Sequence, residues 1–542
     1  MSSLSTPAST TLPAKATAGG ALRLLSAAFV LVALTLSPLL WAAVPPLVDY
    51  PNHLARMWVL VQNGALAELA QNYVVAWRLL PNLAMDLIVP ALVQIIPLEI
   101  AGRLFIALTM LSLLAGTMTL HRALHGRLGL WPLSALLFLY NAALFWGFLN
   151  CLFGIGMFLL AFSGWISSRD WRTALRILAF SVIASLLLIL HLFAFCLYAL
   201  AVGSYELGQR LRERPVSLRG FLRLCAAGLQ FAPGLLLWLA SLANSGPSYN
   251  EYGGLGAKVY ALQAPFTFGP EAVPFDKVLL IFSFAFLTMA IAVRALKLAP
   301  EMRPVLVAMI VAAAAMPTWM SGSWLADIRL PVALPFLLIA GARLDAPRLR
   351  ALRWFATVAL VLLGIRVWAV TQDWRDVDHR FAEFRAASEV ITPGARLLIV
   401  DGTAKAGRHI DGVPSFLAER WKETFTHLAA LAVIDRAAFI PYLFSGWTSV
   451  APAARNAGLF VTEAVPLTAG QFWEGAAAAP ADPTSERSEL SSDLPYWSNW
   501  PKHFDFVLWI DFGPAPEPGR APLQAVAQGS FFRIFRVVPP RD

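Results

Sequence analysis

The chain has 542 residues, of which 58% are apolar and only 14% charged, with a mean hydropathy of +0.63. Soluble globular chains carry about 25% charged residues, and apolar runs of about 20 residues, enough to cross a bilayer, recur along most of this sequence; a soluble globule is excluded. The net charge of +9 would suit a nucleic-acid binder, but residues 371–542 hold 16 basic and 20 acidic side chains, a net of −4, which leaves +13 for the rest. That excess sits between apolar segments, as expected of the cytoplasmic loops of a membrane protein, so no nucleic-acid partner is expected.

In chain order, residues 1–20 are Ser/Thr/Ala-rich and read as a disordered cytoplasmic tail. Leu22–Ala43 is long enough to span, with Lys15 and Arg23 holding its start inside. A cleaved signal peptide is the rival reading, but the apolar stretch exceeds the usual core of about 7–15 residues. An outer loop then covers 44–101. Residues 51–64 read as a short amphipathic helix with Pro51 at its start, and 83–97, short and interrupted by Asp86 and Pro90, as an interfacial or half-inserted helix.

From there charge alone yields a zigzag. Gly102–Leu120 runs inward to the basic loop His121–Arg127, Trp131–Phe148 outward, and Leu152–Ser168 inward. Ile177–Leu190 and Leu192–Leu207 form a hairpin turning near His191. Leu224–Leu242 leads to a second outer loop, 243–275. Val278–Val293, Val305–Met320, Ile328–Ala342 and Phe355–Val370 complete the pattern. Every strongly basic loop falls on one side, which predicts a polytopic α-helical membrane protein with about eleven transmembrane helices over 21–370, N-terminus in and C-terminus out.

From 371 onward the composition is that of a soluble unit. A helix is predicted over 378–391, strands over Arg396–Val400, Phe506–Ile510 and Phe531–Val538, a second helix over about 424–435, and a loop over 470–500. The expectation is a small C-terminal extracytoplasmic α/β domain over 371–542. Cys151, Cys196 and Cys225 all lie in apolar runs and read as buried packing residues; no disulfide framework or CxxC site is present.

The chemistry concentrates in Val48-Asp49-Tyr50-Pro51-Asn52-His53-Leu54-Ala55-Arg56, just after the first span. Ionisable residues near membrane depth are costly and default to functional hypotheses. A carboxylate at Asp49 can take a proton from an attacking hydroxyl; the alternative is that it caps the helix starting at Pro51. His53 is a candidate substrate contact or a hydrogen-bonding loop residue, and Asp86 a candidate acceptor contact. Arg56, Arg78, Arg103, Lys258 and Arg329 stand out as outer cations suited to a phosphate, unless each snorkels to headgroups or pairs locally, as Asp327 with Arg329. His121 and His125 have the spacing of a helical metal pair but no third ligand nearby, and read as a solvated face. The outer aromatics Tyr249, Tyr252, Tyr260 and Phe266 suit an interfacial belt. No cofactor is identified, and nothing supports a divalent metal, a P-loop, a dinucleotide fingerprint or a serine-hydrolase elbow.

An acid in the first outer loop, interfacial helices and an Arg-led second span together resemble the GT-C superfamily. These are polytopic glycosyltransferases that use polyprenyl-phosphate-linked sugars, such as protein mannosyltransferases and lipid A aminoarabinose transferases. The matching residues are Asp49-Tyr50-Pro51-Asn52-His53, Pro81-Asn82-Leu83, Ala101-Gly102-Arg103-Leu104 and, at the start of the soluble unit, Ile391-Thr392-Pro393-Gly394-Ala395-Arg396-Leu397-Leu398. Many members carry Asp-Glu where this chain has Asp49-Tyr50, so the resemblance implies no second acid there. It does imply Asp49 as the catalytic acid/base, a polyprenyl-phosphate sugar donor and an extracytoplasmic acceptor at a bacterial-type cytoplasmic (inner) membrane. Two other expectations stay open: a transporter or flippase of lipid-linked sugars, and a non-catalytic membrane subunit of an envelope-polymer assembly system.

Overall fold

The computed structural model of the protein describes residues 18–62, 64–77, 81–212, 218–242, 249–270, 272–321, 323–345, 353–402, 423–444, 449–461, 466–477, 495–511 and 522–538. Most of the predicted tail, and Arg78, lie outside these. Helix α1 (Ala18–Leu36) gives way to a 3-10 turn at Ser37–Leu40, where Pro38 has no amide hydrogen to continue the α-helical ladder. Helix α2 (Tyr50–Gln62) follows where Pro51 predicted it. Next come α3 (Ala67–Ala70), strand β1 (Tyr73–Val75), the short apolar α4 (Ala84–Val93) and the first long helix, α5 (Leu98–His125).

Segment 131–148 departs from the single helix expected. It forms 3-10 turns over Trp131–Phe138 and a one-turn helix, α6 (Ala142–Phe145), whose Asn141 cap accepts the Leu144 amide at 3.0 Å. Pro132, in the first turn of the 3-10 stretch, lacks an amide hydrogen, and Asn141 offers the backbone a local alternative to helix; both signals were in the sequence. At Gly147 the chain turns with φ +84°, and a Cβ there would sit 2.9 Å from Asp49 Cβ and 3.0 Å from Asp49 N.

Helix α7 (Leu149–Ser167) is the most buried of the long helices. It lies against α5 through glycine: a Cβ on Gly116 would meet the Gly156 carbonyl oxygen at 2.8 Å, and one on Gly156 would meet Ser112 Oγ at 2.1 Å. Small residues let membrane helices approach this closely. Helices α8 (Thr173–Leu190) and α9 (Leu192–Arg212) are separate, as expected, broken by an extended His191. Then follow α10 (Leu218–Gly228), α11 (Ala232–Leu242), α12 (Leu255–Gln263), α13 (Pro274–Ala292), β2 (Leu296–Leu298), α14 (Met302–Ala315), α15 (Ala326–Gly341) and β3 (Ala342–Leu344). Strands β2 and β3 pair antiparallel. His121 and His125 are not a solvated face: each ring contacts a last-turn carbonyl of α15, Ala340 O and Gly341 O, at 3.2 Å. Those carbonyls have no intrahelical partner, and no local sequence signal says which side chain will supply one. Cys151 is buried as expected, but Cys196 and Cys225 are exposed on the bundle surface.

Helix α16 (Arg353–Ala387) is continuous where a span and a separate helix were expected, because residues 371–377 contain neither glycine nor proline to break it. Its 35 residues extend about 52 Å at 1.5 Å per residue, well beyond a hydrocarbon core of about 30 Å. After it come β4 (Leu397–Asp401), α17 (Ala430–Arg436, shorter than predicted), β5 (Val450–Pro452), β6 (Leu467–Thr468), α18 (Ala469–Ala477), β7 (Phe506–Ile510), β8 (Leu523–Gln528) and β9 (Phe532–Val537). Five strands form one sheet in the order β6-β4-β7-β9-β8, with β4 parallel to β6 and β7 and the β7–β9 and β9–β8 pairs antiparallel. The all-apolar run of β7 is buried along its whole length, as a central strand requires. Helix α18 occupies the start of the loop predicted over 470–500, and 478–494 lie outside the described residues.

Among the described residues, seven helical stretches are long and apolar enough to cross a membrane: α5, α7, α8, α9, α10 with α11, α13 and α16. The protein is a multi-pass helical membrane protein. Gly156→Val is expected to push α5 and α7 apart at a cost of about 1–3 kcal/mol, lowering the unfolding temperature in detergent. Gly364→Val, with nothing within 4 Å of the added Cβ, serves as the control.

Candidate active site

Asp49 is set in place by its backbone. Its amide donates to Trp146 O at 3.2 Å, the Val48 amide donates to Phe145 O at 2.9 Å, and the Asp49 carbonyl accepts the His53 amide at 3.0 Å, which starts α2. The broken segment 131–148 therefore serves as the seat for this loop, and Gly147 leaves the room. Among the described residues no backbone amide donates to the Asp49 carboxylate, so it is not spent on capping the helix. Instead its Oδ1 lies 3.4 Å from Nε2 of His427, a residue from the C-terminal part of the chain.

His427 is buried, with its ring edge-on to Phe444 at 5.2 Å and to Tyr442 at 6.1 Å. Its Nδ1 is 3.0 Å from Asn52 Nδ2. Asn52 is fully buried in the first turns of α2; its Nδ2 also donates to Tyr442 O at 3.0 Å, and its Oδ1 accepts the Phe444 amide at 2.7 Å. Neither Asn52 nor His427 was singled out from the sequence for chemistry. The available signal was a histidine inside the apolar stretch 424–435.

Arg329, in the first turn of α15, is the predicted cation that faces the same region. Its guanidinium feels the charges of Asp49 and Asp327 without pairing directly with either, and lies 5.0 Å from the Phe148 ring centroid. It donates to Ser323 Oγ at 2.5 Å and Trp324 O at 3.3 Å, while its Nε is buried without a hydrogen-bond partner among the described residues. The local pairing expected with Asp327 is not made. Asp327 accepts from Thr318 Oγ1 at 2.7 Å and lies 3.7 Å from Lys258 Nζ.

The other candidates are placed differently. His53 is partly buried, edge-on to Phe444 at 5.0 Å, with Nδ1 unpartnered among the described residues; burial first, then the charge of Arg56, holds its pKa well below the ordinary histidine value. Arg56 and Asp86 are spent on each other, in a buried pair at 2.7 Å joining α2 to α4. Arg103 donates to Leu39 O at 3.2 Å and Glu99 O at 3.4 Å, tying the 3-10 turn after α1 to α5. Tyr50 is fully buried, and its hydroxyl occupies the space a Gly102 side chain would need. Of the belt aromatics, Tyr260 accepts the Trp146 indole N–H at 2.8 Å and donates to Gly269 O at 2.9 Å, steadying the seat of Asp49. Two surface grooves lie elsewhere, one beside Trp58, Gln94 and Glu99 and one on the apolar face of α13. Among the described residues no three metal-ligating side chains converge.

The fold has counterparts among solved structures. Two crystal structures of ArnT from Cupriavidus metallidurans share it. The one bound to undecaprenyl phosphate has a TM-score of 0.51 at 12% identity, covering 97% of this chain and 99% of that one. The apo form has a TM-score of 0.51 at 13% identity, covering 97% and 100%. No protein-family model and no curated protein matches the sequence.

The Arg56–Asp86 pair yields a prediction. Asp86→Ala leaves a buried guanidinium uncompensated, at an expected cost of about 3–5 kcal/mol. The double variant Arg56→Met/Asp86→Leu is expected to recover most of that loss in thermal unfolding. A single variant as stable as the parent would mean that the pair is already solvated.

Proposed function

We propose that the protein is a membrane glycosyltransferase of the GT-C type that moves a sugar from a polyprenyl-phosphate-linked donor to an extracytoplasmic acceptor, with inversion and with Asp49 as general base. The observation that carries this reading is the position of Asp49: a partly exposed carboxylate not used in capping, within electrostatic reach of the half-buried Arg329, in a fold shared with ArnT over 97% of the chain. The ArnT structure holding undecaprenyl phosphate supports a polyprenyl-phosphate lipid as partner.

In this reaction the acceptor hydroxyl attacks the anomeric carbon, and Asp49 takes its proton. The bond from that carbon to the phosphate oxygen breaks, and its electron pair leaves with the lipid phosphate. General-base assistance of this kind contributes about 10²–10⁴ in rate. The departing phosphate gains charge as the bond breaks, and Arg329 is the cation we assign to it; a fixed donor at such a position is worth about 10²–10³. To His53 we assign the wall of the acceptor site. Arg56, Asp86 and Arg103 we assign to holding α2, α4 and α5 around the substrates.

The topology that goes with this reading is about eleven spans, N-terminus inside. It adds α1, the broken segment 131–148, α14 and α15 to the seven long helical stretches. It puts Asp49 and the C-terminal α/β unit on the outer side of a bacterial cytoplasmic membrane, where the charge zigzag favours them.

The test is transfer of labelled sugar from polyprenyl-phosphate donors by the purified protein. Asp49→Asn is expected to lower kcat by about 10²–10⁴, and Arg329→Gln by about 10²–10³, with Arg329→Lys recovering part of the loss. Full activity in Asp49→Asn at equal expression would remove Asp49 from the mechanism. Movement of the lipid across vesicles without product would favour the transporter reading.

A further inference from the structure

The carboxamide of Asn52 has no freedom in its orientation. The Phe444 amide can only donate, so the atom it meets at 2.7 Å is Oδ1; the Tyr442 carbonyl can only accept, so the atom it meets at 3.0 Å is Nδ2. The second hydrogen on Nδ2 then points to Nδ1 of His427 at 3.0 Å, and that nitrogen must accept. A neutral imidazole with Nδ1 accepting carries its proton on Nε2, the atom 3.4 Å from Asp49 Oδ1. Protonating Nδ1 would set an N–H against the Asn52 amide hydrogens, and flipping Asn52 to relieve this would break both backbone contacts.

We propose that His427 is a positioning residue for Asp49, held by Asn52 as a neutral imidazole whose Nε2–H is aimed at the carboxylate. The proposal rests on Asp49 being the base in the reaction above, and it adds a role for the C-terminal part of the chain. A donor 3.4 Å from Oδ1 restrains that oxygen and leaves Oδ2 for the acceptor hydroxyl. A ring that stays neutral does not compete with Asp49 for the substrate proton, and it adds no positive charge beside the base. The groups facing His427 are Asp49, the Asn52 amide, Tyr442 and Phe444, with His53 across the Phe444 ring and Arg56 behind it on α2.

Two measurements test this. The first needs no turnover: nitrogen-15 NMR of histidine-labelled protein in nanodiscs at neutral pH, with the His427 signal identified by its loss in His427→Gln. A neutral ring protonated on Nε2 is expected, and Asn52→Asp, which can only accept, is expected to move the proton to Nδ1. An imidazolium, or a proton on Nδ1 in the parent protein, overturns the proposal.

The second measurement separates kcat from KM. Glutamine can present an amide N–H where Nε2–H stands and cannot titrate, so His427→Gln is expected to keep kcat within about threefold. His427→Leu leaves the carboxylate unheld, and since a misplacement of about 1 Å costs up to about 10² in rate, a 10- to 100-fold loss of kcat with KM little changed is expected. Equal losses in both variants, or full kcat in His427→Leu, overturn the proposal. If the parent protein transfers no sugar, the proposed function fails and the NMR result alone decides whether Asn52 sets the ring; it also decides if the leucine variant does not fold.

Discussion

One buried carboxamide joins the two halves of this chain at the point where the chemistry is placed. Asn52 belongs to the helix that follows Asp49, yet its partners are Tyr442, Phe444 and His427, more than 370 residues later. A buried amide that loses a partner leaves groups costing about 1–3 kcal/mol each unsatisfied, so this contact is either made completely or not at all. Around it the same two regions are sewn together repeatedly. Strand β1 pairs with β5, Asn72 donates to the Gly394 and Ala437 carbonyls, and Arg455 donates to Gln71 and Asn72. The outer loop and the C-terminal part thus share one hydrogen-bonded seam.

Charge is handled in two ways. Where helices must be held, buried charges are paired directly: Arg56 with Asp86 at 2.7 Å and Arg366 with Asp276 at 2.6 Å. Breaking such a pair is costly because the survivor stays buried. Near Asp49 the pattern changes. Arg329 leans on a hydroxyl and a carbonyl rather than a carboxylate, and among the described residues its buried Nε has no hydrogen-bond partner. Asp327, the acid beside it in sequence, is drawn away to Thr318 and Lys258. Arg329, with no acid paired to it directly among the described residues, lies within electrostatic reach of the candidate base.

The architecture was legible where it depends on composition. Apolar length marked the long helices, Pro51 marked the start of α2, and the run Phe506–Ile510 marked the central strand β7. What escaped depends on partners distant in sequence. Nothing local tells that His121 and His125 will meet the carbonyls ending α15, or that the break in Trp131–Phe148, itself marked by Pro132 and Asn141, will seat Asp49. Asp49 itself was legible as an acid at the edge of the first span. Arg103 and Arg329 looked alike in sequence, and only the fold shows the first bonding the turn after α1 while the second lies within electrostatic reach of Asp49. His427 could be found only by folding, because its chemistry comes from Asn52.

Helix α16 is a stiff shaft with a membrane stretch at one end and the sheet at the other. Low on it, Trp374 meets Tyr140 of the broken segment at 6.3 Å; higher up, Phe381 meets Phe425, two residues before His427, at 5.6 Å, and Phe384 meets Phe532 at 5.5 Å. One continuous helix thus touches both the segment that seats Asp49 and the region that carries His427, so the two flanks of the candidate site hang from a single backbone.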